Sequence, residues 1–192
     1  DRWTTAFYAW AEKRRPRRTW RWFGPTVNNM PDDVLQAVAD GVTWWLKAVS
    51  QSIDRHEDVL LKLCRRVLTL PLEASTNIIL DGAPLDEPVT EAINHPVGHV
   101  TQALINLWFK HKPKDDDGLP ADIKSMFTEL CDAQIDKFRH GRVLLAARLI
   151  PLFRVHREWT TQHLLPLFDW HHSREARAVW KGFLWSPRLY PP

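Results

Sequence analysis

Apolar residues recur along this chain at intervals of three and four, the spacing that gathers them on one side of an α-helix. Asn29-Met30-Pro31 opens such a helix, with Asp32 and Asp33 in the first turn to favour its positive end. Val34, Val38, Val42, Trp45 and Val49 then form one stripe, broadened by Leu35, Trp44 and Leu46. After a turn at Ser50 to Asp54, Asp54 and Glu57 stand at a variant of the capping-box spacing. Leu60, Leu63, Cys64, Val67 and Leu68 face one way on the helix that follows, which stops before Pro71. Another helix starts at His95-Pro96, with Asn94 available as a cap, and turns Val97, Val100, Leu104, Leu107 and Trp108 to one side. Ala121 to Asp136 carries Ile123, Met126, Phe127, Leu130 and Cys131 in the same manner.

The densest apolar stretch runs from Phe138 to Trp170. Between Val143 and Phe153 its only charge is Arg148, so this helix needs neighbours on most of its circumference, and Arg148 is expected as a buried cation with a carboxylate or carbonyl partner. An amphipathic helix follows with Trp159, His163, Leu164 and Leu167, ended or kinked by Pro166. Ser173 then caps a last helix through Ala176, Val179, Trp180, Phe183 and Leu184. The periodicity fails at 70–94, which has three prolines and an Asp-Gly turn, with Asn77 to Leu80 able to form a short strand. A segment this long between helices is often a functional loop.

The fold class that follows is all-α. Hairpins at 31–69, 95–136 and 140–185 predict an irregular array of antiparallel helical hairpins, α-solenoid-like, over residues 31–192. Residues 1–30 read as an N-terminal helix end, closed by Pro16, and a basic, aromatic linker. The start at Asp1 and the end at Tyr190-Pro191-Pro192, directly after a Trp-rich helix, lead us to expect a fragment of a larger multidomain protein.

Composition narrows the class. With 192 residues, 44% of them hydrophobic and 26% charged, the chain can bury about 70% of its unfolded surface and is not disordered as a whole. Every apolar run meets a charge well before the ~18 residues of a membrane span, so a cytoplasmic protein with no membrane partner is expected. The two cysteines, Cys64 and Cys131, sit among apolar neighbours and read as buried thiols. The 11 tryptophans suit helix packing, and a ligand or partner surface is the alternative use.

Charge is uneven. Residues 1–24 hold seven basic side chains against two acidic, +5, so the remainder carries −2 of the net +3. Arg14, Arg15, Arg17, Arg18 and Arg21 interleave with Trp20 and Trp22, a pattern that can neutralise phosphates and stack on exposed bases. A solvated Arg-rich turn with its tryptophans docked on the helices is the plainer account. His95 and His99 have the i, i+4 spacing of two metal-binding imidazoles but no third ligand in view. Asp115, Asp116, Asp117 and Gly118 lack the alternating ligands of an EF-hand. His156, His163, Asp169, His171 and His172 could do acid–base work only if they converge. No catalytic residue, metal or cofactor is assigned.

Four segments carry a resemblance: NHPVGHVTQALINLWF, HGRVLLAARLIPLF, WTTQHLLPLFDW and FLWSPRLY. They resemble a helical domain of unknown function found on the C-terminal side of sirtuin-like bacterial anti-phage defence proteins, best over 94–190 and more weakly back to 31. The resemblance implies a non-catalytic sensor or scaffold region that binds a protein partner or regulates an attached NAD-hydrolysing domain. No catalytic residue carries over, because this chain has no strand–Gly-rich turn–helix unit. The alternative expectation is a module for single-stranded nucleic acid that uses the Arg/Trp segment 13–22.

Overall fold

The computed structural model describes residues 2–12, 15–75, 79–80, 83–84 and 87–185. The chain is all-α, as its periodicity predicts. Its helices are α1 (Arg2–Ala11), α2 (Arg15–Asn28), α3 (Asp32–Ala37), α4 (Ala39–Ser50), α5 (Glu57–Thr69), α6 (Pro88–Asn94), α7 (Pro96–Lys110), α8 (Ala121–Leu130), α9 (Arg139–Ala146), α10 (Leu149–Val155), α11 (Arg157–Trp159) and α12 (Ser173–Trp185). Among the described residues, β structure is limited to β1 (Ile79–Leu80) paired antiparallel with β2 (Ala83–Pro84), Ile79 opposite Pro84.

The helices gather into two compact units, Asp1–Glu73 with His95–Lys112, and Ala74–Asn94 with Pro113–Pro192. In the first, α4 is the centre, packed chiefly on α7 and α1 and also on α2 and α5. Val42, Trp45, Leu46 and Val49 of α4 and Leu60, Leu63, Cys64 and Val67 of α5 are fully buried, as their stripes require. The expected single helix through 31–49 is bent at Val38, whose φ of −114° separates α3 from α4 while the Val38-to-Val34 and Val42-to-Val38 backbone bonds persist. Gly41 allows the α1–α4 crossing: a Cβ there would stand 3.1 Å from the Thr4 backbone.

In the second unit α9 takes the central place, packed on α12, α6 and α8. Val89 and Ala92 of α6 meet Val143 and Leu144 of α9 and Ala178 of α12, with Ile93 against them. Thus α6 is a helix inside the segment read as a loop. Pro88 at its first position is pre-set for helical φ, and seven residues are too few to display a period.

The apolar helix expected through Val143–Phe153 is also two, broken at Ala147–Arg148. Arg148 is half-buried, and its guanidinium lies 3.4 Å from its neighbour's carbonyl at Ala147. The buried cation is instead Arg142, 0% exposed and 2.7 Å from Glu175 on α12. Beyond α11 the helix widens to a π turn, Thr160–Leu164, and tightens to a 3₁₀ turn, Leu165–Phe168. Pro166 has no N–H to bond the Gln162 carbonyl, so the regular ladder cannot continue there. Among the described residues no helix is long and apolar enough to cross a membrane.

Candidate functional site

From Arg15 on, the Arg/Trp segment is a helix and not a linker. Proline is tolerated in a first turn, where its missing N–H would be unpaired anyway, so Pro16 sits in the first turn of α2, after α1 has stopped at Ala11. Helical spacing then sorts the segment. Pro16, Trp20, Gly24 and Val27 are buried on one side, while Arg17, Arg18, Arg21, Trp22 and Phe23 are exposed. Trp20 is 1% exposed and its indole N–H donates to the Arg55 carbonyl at 3.0 Å. It touches Trp45 at 5.2 Å between ring centroids, and Trp45 donates to the Thr19 hydroxyl at 3.0 Å. Trp20 is therefore a packing residue, and base stacking through it is ruled out in this fold.

Arg17 and Arg21, one turn apart, converge on Asp54. Arg17 donates from Nε at 2.9 Å and from Nη2 at 2.5 Å, and Arg21 donates from Nε at 3.2 Å and also from Nη2. The Arg21 guanidinium, with Arg17 beside it, holds the Asp54 carboxyl well below the usual carboxylate range. Asp54 is thus a clamp on α2 rather than a helix cap. The cap of α5 is His56, in the left-handed region at φ 59° and without a side-chain bond to the helix. Arg18 and Trp22 stand one turn apart on α2, clear of the Asp54 pair. Arg15 opens α2, though its side chain is not among the described parts, and Arg14 lies outside the described residues.

The first unit also leaves several large aromatic side chains exposed. Trp3 and Tyr8 of α1, Trp22 and Phe23 of α2 and Trp44 of α4 are between 36% and 73% exposed. Phe23 stacks on Trp10 with centroids 4.6 Å apart and planes 4° from parallel. Tyr8 meets Trp44 edge-on at 6.3 Å, and the Lys47 ammonium sits 3.8 Å above the Trp44 ring. Burial lowers the Lys47 pKa, a cost that the ring face helps to offset. Burial, with Asp40 nearby, raises that of Tyr8. Of these residues, Trp22 is visible in the Arg/Trp segment, and for Trp3 and Trp44 the sequence signal is the tryptophan surplus.

The other candidates resolve into structural roles. His95, not Asn94, caps α7: its Nδ1 accepts from the Val97 N–H at 3.1 Å, and its Nε2 donates to the Glu73 carbonyl at 2.8 Å. His99 is buried, with Nδ1 3.0 Å from the Thr43 hydroxyl and its ring edge-on to Trp44. In the 110–120 loop, Asp115 pairs with Arg154 at 2.9 Å, and Asp117 accepts from the Lys114 N–H. Asp169 caps the turn at His171, whose backbone N–H and ring lower the carboxyl pKa, and the His171 side chain is 88% exposed. His163 lies against Trp159 instead. Among the described residues no three His, Cys, Asp or Glu are grouped to hold a metal ion. No protein-family model, curated protein or solved structure matches the chain.

Proposed function

We propose that this chain is a non-catalytic helical scaffold or sensor region that binds a protein partner through the exposed aromatic side chains of its first unit. One observation carries the reading: five large aromatic side chains stay in water on α1, α2 and α4, three helices that pack on one another. Aromatic residues, tryptophan and tyrosine among them, are over-represented in protein interfaces. The wider setting belongs to the same proposal. In it the module is cytoplasmic, its helices form a hairpin array, and it senses a phage component or regulates an attached NAD-hydrolysing domain. These parts rest on helix order and on the four resembling segments.

The test is capture from phage-infected bacterial lysate with the whole chain as bait, beside a Trp22→Ala/Phe23→Ala variant. A partner held by the wild type at high salt and lost with the variant supports the reading. Capture of nothing above background, with no self-association, counts against it.

A second reading, single-stranded nucleic-acid binding, is favoured by Arg18 and Trp22 side by side and by the single carboxylate that restrains Arg17 and Arg21. It predicts that Asp54→Asn strengthens binding to an oligonucleotide at low salt, and that Trp22→Ala weakens it by about 1–3 kcal/mol. Affinity must also fall steeply with salt. No anisotropy change with an oligonucleotide at low salt ends this alternative.

A further inference from the structure

In the second unit a recessed pocket of about 110 Å³ is lined by Ala74, Pro88, Glu91, Arg139, His140, Arg174, Arg177 and Ala178. Its chemistry is lopsided, with three guanidinium groups and a histidine facing one carboxylate. The arrangement follows from helix geometry. Arg139 and His140 are the first two residues of α9, Arg174 and Arg177 lie in the first turns of α12, and Pro88 opens α6. The basic side chains therefore come from the first turns of α9 and α12, beside the start of α6.

One of the three arginines, Arg139, is already paired, with Glu175 and with Asp136 at 3.6 Å. Glu175 is buried and faces inward, bonded to Arg142 at 2.7 Å and to Arg139 at 3.2 Å. Arg174, its neighbour in sequence, has no hydrogen bond or ion pair from its side chain among the described residues and is exposed. His140 is 3% exposed, and its Nε2 donates to the Ala74 carbonyl at 2.9 Å, which fixes the ring at the back of the pocket. The wall is thus rigid where it is buried and carries forked donors at its mouth.

We propose that this pocket binds a tetrahedral oxyanion, the phosphate group of a phosphomonoester or inorganic phosphate itself. Guanidinium forks match such an anion with paired charge-assisted bonds. A recess of this size has room for a phosphate group. The site is independent of the aromatic side chains proposed above for partner binding.

The experiment is calorimetric titration of the whole chain with inorganic phosphate and, separately, adenosine monophosphate, at ionic strength held constant with chloride. Saturable binding is expected for at least one of the two; tighter binding of the monoester identifies that source, and tighter binding of inorganic phosphate identifies the free anion. Arg174→Ala and Arg177→Ala are each expected to weaken it about tenfold, or 1.4 kcal/mol. Arg174→Lys should recover only part, because a point charge replaces a fork. Arg55→Ala, an exposed position of the first unit, removes the same charge and should leave binding unchanged. If Arg177→Ala fails to fold, Arg174→Ala carries the test. No saturable binding of either ligand, or equal binding by wild type and Arg174→Ala, overturns the proposal.

Discussion

A guanidinium keeps its proton inside a protein, so burying one obliges the fold to supply acceptors. Arg142 has them: both Glu175 oxygens, at 2.7 and 3.2 Å, and the carbonyls of Asp132, Ile135 and Leu130 at 2.5, 3.3 and 3.4 Å. Burial by itself would raise the Glu175 carboxyl, but Arg142 and Arg139 together outweigh it and hold the group below its usual value. A depressed carboxyl adds stability that is complete above the unfolded value, near 4.5, and that disappears as pH falls through the lower folded value. Arg142→Ala leaves the buried Glu175 carboxylate to Arg139 alone and three carbonyls without their donor, and is expected to cost about 3–5 kcal/mol in urea unfolding, whereas Arg142→Met with Glu175→Leu should cost less because no buried carboxylate remains. The double variant should also lose less stability than wild type below pH 4.5, and an equally steep loss would show that other groups set the acid limit. The thiols make a second case. Burial pushes Cys64 and Cys131 each up to about 12, Arg142 opposing it slightly at Cys131. Both are protonated at neutral pH and shielded, so a thiol-reactive dye should label neither in buffer and both in denaturant. Rapid labelling of the native chain would mean that α5 or the end of α8 opens readily.

Among the helices, α9 and α12 depend on a close approach that one residue permits. A Cβ on Gly182 would stand 2.2 Å from the Val143 carbonyl oxygen, a backbone atom that can yield only if the helices separate. Gly182→Ala therefore sets overpacking, about 1–3 kcal/mol or more, against roughly 1 kcal/mol of improved helix propensity, and the overpacking wins. A thermal melt should show Gly182→Ala well below wild type, and below Gly41→Ala, where the nearest contact is 3.1 Å. This also marks how far the sequence could be read. Stripes such as Leu60-Leu63-Cys64-Val67-Leu68 declare a buried face because the evidence lies within one helix. A glycine needed by a partner helix 39 positions earlier leaves no local trace, and neither does the pairing of Arg17 and Arg21 with Asp54. Spacing found the exposed Arg18 and Trp22 but could not separate them from the buried Trp20, because the proline at 16 read as a break and hid the helical phase. Arg148 misled for a related reason: an apolar run looks continuous in sequence even where the chain turns at Ala147 and lets the side chain out.

For the molecule as a whole, the order of the chain and the order of packing disagree. The first unit is closed by His95–Lys112, which arrives only after the chain has contributed Ala74–Asn94 to the second. The hairpin expected at 95–136 is therefore divided, α7 belonging to one unit and α8 to the other. Each unit needs both of its segments, and for the second the missing part can be named: Val89, Ala92 and Ile93 of α6 cover Val143, Leu144 and Ala178. A polypeptide of residues 113–192 would leave that apolar face in water, at a loss of roughly 2 kcal/mol for each Val or Ile contact surrendered, a large share of the 5–15 kcal/mol that holds an ordinary domain. Residues 74–94 joined to 113–192 by a Gly/Ser linker as long as the segment it replaces restore the cover without strain, since an equal number of residues spans any distance the native segment does. Circular dichroism melts should therefore show a cooperative transition for the joined polypeptide and a broad or absent one for 113–192. A sharp transition in 113–192 alone would mean that α9 and α12 suffice as a core, and that α6 is held by the unit rather than holding it.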